Sequence, residues 1–233
     1  MGAEQTLLMA KLTHLLLVPG HAVWNLREDP TIDSSWFLKP YQNTEPRYFL
    51  QHIQAGVEIA AADEEALLMF AGGATEEAAG PFTEALGYWG IADWFVWWGH
   101  KEVRERTYLE EYSLDSFLNL EYALHRFRQI TGEWPERITV CGWGFKAYRI
   151  AELHRQALGW VLPFEYVAVN DPRNLEEVKA REEQTCAEFA ADPRGDNPPI
   201  SEKRKARDHF RRVPPYDLRN QGWRPVRLPG ELW

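Results

Sequence analysis

The feature that most constrains this chain is a rhythm: five short strand-like runs, each followed by a turn and a stretch with helical spacing. The runs are Leu15–Val18, Ala66–Phe70, Arg106–Glu110, Arg137–Cys141 and Phe164–Val169. Leu15–Val18 is apolar throughout, as a strand must be when both faces of its sheet are covered. Strands that alternate with helices build a parallel sheet, because a parallel pair needs a crossover long enough to hold a helix. Right-handed crossovers then carry every strand's exit to one edge. Ligands of open α/β sheets sit in the crevice outside those carboxyl ends. The residues after each run are therefore the first candidates for a site.

The densest group lies between the third run and its helix, in Leu109–Asn119, where Glu110, Ser113, Asp115, Ser116 and Asn119 gather. Asp115 suits a helix N-cap, since its carboxylate can accept from orphan amides of the first turn. From Phe117, apolar residues recur at Leu120, Leu124 and Phe127 and give the helix a buried stripe. The group reads either as a ligand site or as a richly capped turn. Pro19-Gly20-His21 closes the first run, and His21 either meets a ligand or ties down the loop. Gly72 and Gly73 follow the second run and either offer amides to an anion or only let the backbone turn. Pro81 opens a helix that carries Thr83-Glu84-Ala85 in its first turn. After the fourth run, Lys146 and Arg149 are three apart, share a helical face and can meet phosphate or carboxylate, or only solvent. One rim thus collects His21, Gly72, Gly73, Glu110, Ser113, Asp115, Gly142 and Lys146.

Elsewhere, residues 24–45 read as a long loop packed through Trp24, Trp36, Phe37 and Tyr41. A helix starts at Pro46 and buries Phe49, Ile53, Val57 and Ala60. The Trp94–Trp98 region, with Trp89 before it, reads as core packing or as the surface of a homo-oligomer, and as a platform for a ring-bearing ligand otherwise. Leu175–Ala191 is a polar-rich helix, and it ends a ligand-binding domain of residues 1–191. Residues 192–233 are expected to form an extended, Pro-rich basic tail lying across that domain. Residues 193–233 hold ten Lys/Arg against five Asp/Glu, whereas the whole chain carries −9. Such acidity argues against nucleic acid as a partner. No apolar run is long enough for a membrane span, so no membrane partner is expected. The two cysteines, Cys141 and Cys186, lie far apart and lack metal spacing. A reducing, cytoplasmic location is expected.

Absent motifs narrow the chemistry. There is no phosphate loop ending in Gly-Lys-Ser/Thr, no dinucleotide fingerprint after the first run and no Gly-x-Ser-x-Gly elbow. The seven histidines show no zinc-binding pairing. Carboxylates, hydroxyls, amides and one or two cations remain.

These residues resemble the YdcF/SanA/ElyC-like family, domain of unknown function 218, and in particular its cytoplasmic eukaryotic branch, from residue 14 to about residue 216. Ala71-Gly72-Gly73 stands for the family's Ser-Gly-Gly, and Thr83-Glu84-Ala85 for its Ser-Glu-Ala. Glu110, Ser113, Asp115, Ser116 and Asn119 fill its central motif in register, and Arg149 its final arginine. Phe145-Lys146, Asp192-Pro193 with Gly195, Lys203-Arg204 and Pro215-Tyr216 match the eukaryotic branch. Lys146 stands where bacterial members have His, and Ala71 where they have Ser. The resemblance implies a Rossmann-like α/β fold and nucleotide-like ligands, adenosylmethionine among them, with envelope precursors for exported members.

The expected protein is Rossmann-like, with a mostly parallel sheet and helices on both faces. Its strand-end rim binds a small anionic or nucleotide-like metabolite. The amides of Gly72 and Gly73, with Lys146 and Arg149, hold the anion. Glu84, Glu110 and Asp115 hold hydroxyls or a divalent cation, or act as acid and base. His21 meets the ligand, and Ser113, Ser116 and Asn119 orient these groups. Two other readings stand beside it: a hydrolase or transferase acting on a phosphorylated or glycosyl substrate through the three acids, and a non-catalytic interaction scaffold.

Overall fold

The computed structural model describes residues 12–216. Five strands form one parallel sheet: β1 (His14–Pro19), β4 (Ala66–Ala71), β5 (Thr107–Glu110), β6 (Arg137–Trp143) and β7 (Phe164–Asn170). Their order across the sheet is β5-β4-β1-β6-β7. Two short strands, β2 (Val23–Trp24) and β3 (Trp36–Phe37), pair antiparallel beside it. They fall inside the stretch expected to be loop, which is packed as its aromatic residues implied. Trp24 and Trp36 are buried, and their indole N–H groups donate to the carbonyls of Glu28 and Pro30.

Strand β1 shows why both faces are covered. Side chains alternate along a strand, so Leu15 and Leu17 enter one core while Leu16 and Val18 enter the other. Helices α1 (Pro46–Ala61) and α2 (Glu84–Trp94) pack on the second face through Phe49, Ile53, Val57, Tyr88 and Ile91. Helix α3 (Ser116–Thr131) covers the first face with Phe117, Leu120, Leu124 and Phe127. A π-helical segment, Arg149–His154, runs into the short helix α4 (Arg155–Leu158) on the same face. The chain therefore winds one way from β1 through β4 to β5, then crosses back to β6 and β7. The switch point of this doubly wound sheet is between β1 and β6.

Three expectations are corrected. Pro81 lies outside α2, which begins at Glu84 with Thr83 as its N-cap, because the Thr83 hydroxyl accepts from Leu86 N at 3.0 Å. Lys146 and Arg149 do not share the first turn of one regular helix. Lys146 ends a 3-10 turn, Gly144–Lys146, and Arg149 begins the π-helical segment. The C-terminal region is not extended throughout: beyond α5 (Leu175–Ala191), residues Ile200–Arg207 form helix α6, which carries the basic stretch. The remainder of the tail, residues 217–233, lies outside the described residues. No helix among the described residues is long and apolar enough to cross a membrane. Trp97 is buried in the core of the second face, while Trp94 is half exposed.

Candidate functional site

A cavity of about 400 Å³ opens at the switch point, within the roughly 300–1,000 Å³ of small-molecule pockets. Its floor is the end of β1 and the turn after β6, and its walls come from the loop before α1, the β5–α3 loop, α5 and α6. Of the residues singled out from sequence, it brings together His21, Glu84, Ser113, Asp115, Ser116, Asn119, Lys146 and Arg149. Gly72, Gly73 and Glu110 do not line it.

The two glycines are occupied otherwise. Gly72 N–H donates to Glu110 O at 3.0 Å and Gly73 N–H to Ser113 O at 2.8 Å, so both amides are taken by backbone. Their service is steric. A Cβ on Gly72, whose φ is +149°, would lie 2.6 Å from a Glu84 carboxylate oxygen, and one on Gly20 would lie 2.5 Å from Glu84 Cβ. Two glycines thus make room for Glu84. Glu110 is fully buried beneath the β5–α3 loop. Its carboxylate accepts from Tyr112 N at 2.8 Å, Ser113 N at 3.2 Å and the Tyr216 hydroxyl at 3.1 Å. Glu110 shapes the loop from behind.

Asp115 is the N-cap of α3, accepting from Leu118 N at 2.9 Å, and its other oxygen meets Arg204 Nε at 2.5 Å. The C-terminal segment holds this loop at further points. Arg207 donates to Leu114 O at 2.7 Å and Arg212 to Glu111 O at 3.0 Å, while Arg194 pairs with Glu121 on α3. The basic helix therefore does lie on acidic surface, and Arg207 also reaches the cavity.

The cations in the wall differ in how fully they are engaged. Arg149 grips Glu182 of α5 with Nε at 2.6 Å and Nη2 at 2.9 Å, and its Nη1 donates to Ser116 Oγ at 2.5 Å. Lys39 is paired with Glu76. Lys146 has no carboxylate within ion-pair distance among the described residues; its closest polar neighbour is His21 Nδ1 at 3.5 Å. Burial, and then the charge of Arg149, bring the Lys146 pKa down to about 8. Burial also pushes His21 well below the usual imidazole range, with Lys146 and His52 adding to the effect, so its ring is neutral. Two acids respond in the opposite direction. Burial raises Glu45 to about 7 against the pull of Lys146. It also raises Glu84, although the Thr75 hydroxyl donates to that carboxylate at 2.5 Å. The cavity thus holds an unpaired amine beside carboxyls that ionise reluctantly.

Glu45, Thr75, Arg181, Glu182 and Arg207 also line the cavity without having been singled out as site residues. Glu45 stood readable beside Pro46 at a helix start, but nothing local marked Glu182 on its charge-rich helix. Among the described residues, no three His, Cys, Asp or Glu side chains gather closely enough to hold a metal ion. In particular, Glu84, Glu110 and Asp115 do not meet as a set.

The fold and this cavity define a doubly wound α/β protein with a ligand-sized pocket at its topological switch point. Over 265 aligned positions, the chain is 23% identical to the uncharacterized protein YOR238W of Saccharomyces cerevisiae, covering 89% of this chain and 88% of the yeast protein. No family model and no solved structure matches it.

Proposed function

We propose that the protein binds a small anionic, nucleotide-like metabolite in the switch-point cavity, with Lys146 as the principal anion contact. The carrying observation is Lys146, a buried cavity residue at the carboxyl edge with no carboxylate partner among the described residues, whereas Lys39 and Arg149 beside it are already ion-paired. A ligand anion would supply the missing counter-charge and favour the ammonium form further. Arg207 and Arg181 lie in the same wall, and Tyr41 and Phe145 offer ring faces for a base. The resemblance to the YdcF/SanA/ElyC-like family supports the same ligand class, adenosylmethionine included. Gly72, Gly73 and Glu110 drop out of this contact set, and Arg149 serves chiefly to position Ser116.

Titration calorimetry of the wild type and of Lys146→Met against nucleotides, sugar phosphates and adenosylmethionine tests the reading. A charged hydrogen bond contributes about 1.5–3 kcal/mol, so the variant should bind roughly 10- to 100-fold more weakly. Equal affinity in both proteins, or no binding to any member of the panel, refutes it.

A second reading, in which the ligand is also turned over, is favoured by Glu84. Burial inside the cavity raises the Glu84 carboxyl above the usual range, the direction that suits proton donation to a leaving group. It requires turnover that Glu84→Gln abolishes while leaving binding intact.

A further inference from the structure

One side chain of the cavity wall, Ser116, has a buried partner behind it, His154, that anion binding does not use. Ser116 is the first residue of α3 and lines the cavity, and its Oγ lies 2.8 Å from His154 Nε2. Arg149 Nη1 donates to the same oxygen at 2.5 Å. His154 is fully enclosed, held edge-on against Phe189 and Phe117 with ring centroids 4.5 and 5.7 Å away. Its Nδ1 has no hydrogen-bond partner among the described residues.

A serine hydroxyl carries one hydrogen and two lone pairs. Arg149 takes one lone pair. If the hydrogen goes to His154 Nε2, the second lone pair is free to face the cavity. An activated nucleophile needs this arrangement: a base within hydrogen-bond reach of the hydroxyl, and a cation beside the oxygen as negative charge develops.

We propose that Ser116 is a nucleophile and His154 its general base, giving the cavity an acyl-transfer activity toward carboxylic esters. The serine Oγ bonds to the ester carbon as its proton passes to His154 Nε2, and the carbonyl oxygen takes the negative charge. The intermediate collapses, the bond to the alcohol oxygen breaks, and the alcohol leaves with the proton from His154. Water then attacks the acyl-serine, giving a proton to His154, and the acid departs as that proton returns to Oγ. Asp115 and Glu84 take no part, which separates this activity from turnover by carboxylates. It shares the cavity with the anion-binding reading but not the role of Lys146.

An alkyl fluorophosphonate tests the dyad without knowledge of the natural ester. The serine oxygen forms a bond to phosphorus, the phosphorus–fluorine bond breaks, the proton goes to His154 and fluoride leaves. Peptide mass spectrometry of the wild type should place the adduct on Ser116 and not on surface serines such as Ser34. Ser116→Ala should lose the adduct, and His154→Gln should slow its formation about 100-fold or more. Burial, with Arg149 and Arg204 adding to it, holds His154 neutral well below pH 6.5. The wild-type labelling rate should therefore be flat from pH 6.5 to 8. This profile serves as the second readout if His154→Gln does not fold. No adduct on Ser116, equal labelling in folded His154→Gln, or a rate rising tenfold per pH unit overturns the proposal. The calorimetric test with nucleotides is independent of all three outcomes.

Discussion

Strand β1 has a histidine at each end, and the two could hardly be treated more differently. At the amino edge, both ring nitrogens of His14 are engaged: Nδ1 with Asp63 at 2.6 Å and Nε2 with Thr139 at 2.9 Å. Asp63 is held in turn by Arg137 at 2.5 Å. Nearby, buried Arg106 donates to the carbonyls of Ala60, Asp63 and Ala66, closing the end of α1 against the sheet. At the carboxyl edge, the side-chain partner of His21 is Lys146, 3.5 Å from Nδ1, and Nε2 is enclosed without a partner among the described residues. His52 Nδ1, on a ring 5.2 Å away, is equally unpartnered. The amino edge resembles a catalytic constellation but has every hydrogen bond closed upon itself. Unfinished bonding at the carboxyl edge is what marks a place for ligand, because buried polar groups are normally satisfied within the fold.

The contrast can be broken most forcefully at Arg106. Arg106→Leu orphans three buried carbonyls and should cost about 3–5 kcal/mol of stability by urea denaturation. A loss below about 1 kcal/mol would mean the amino edge is held by other contacts. A somewhat smaller effect belongs to acid. Burial brings His52 from 6.5 to about 4 in the fold, despite its bond to Asn170. Below pH 6.5 the unfolded chain binds a proton that the folded one refuses, so this group's contribution falls by about 3 kcal/mol between pH 6.5 and 4. His52→Gln should flatten that limb relative to the wild type, and superimposable limbs would rule the assignment out.

Glu110 sharpens the comparison, because it sits at the carboxyl edge yet is bonded like the amino edge. Glu110→Gln turns one acceptor into a donor against two amides and Tyr216, and should cost about 2 kcal/mol. Tyr216→Phe should cost about 1 kcal/mol and add less than fully to it, as a double-mutant cycle would show. Strict additivity would separate the two residues. The smallest effect on stability is expected at Lys146. Lys146→Met removes a desolvated amine without a carboxylate partner and should leave the denaturation midpoint within the equivalent of about 0.5 kcal/mol. A large loss would assign Lys146 to the framework and not to the ligand.

The positions of the strands were legible because a buried parallel strand is written in contiguous apolar residues, as in Leu15–Val18 and Ala66–Phe70. The cap at Asp115 was equally local and stands as expected. What each rim residue is bonded to was not legible. Sequence places Gly72 and Gly73 at a strand's exit, but only the fold shows that their amides are spent on Glu110 and Ser113. Likewise Glu182 meets Arg149 from 33 positions away, and no spacing rule reaches so far. Helix α6 was hidden by its surroundings. Prolines dominate residues 193–215, yet Ile200–Arg207 between them consists mainly of residues that favour helix, following Pro199.

The grip of the C-terminal segment on the β5–α3 loop has a consequence for the order in which this protein matures. All five strands and the helices between them precede residue 171, so a chain emerging from the ribosome can assemble its sheet early. The hands that hold residues 110–115 in place, Arg204, Arg207, Arg212 and Tyr216, arrive after every strand of that sheet. The scaffold can therefore be finished before its working face, and a newly made chain gains its pocket wall only when helix α6 docks.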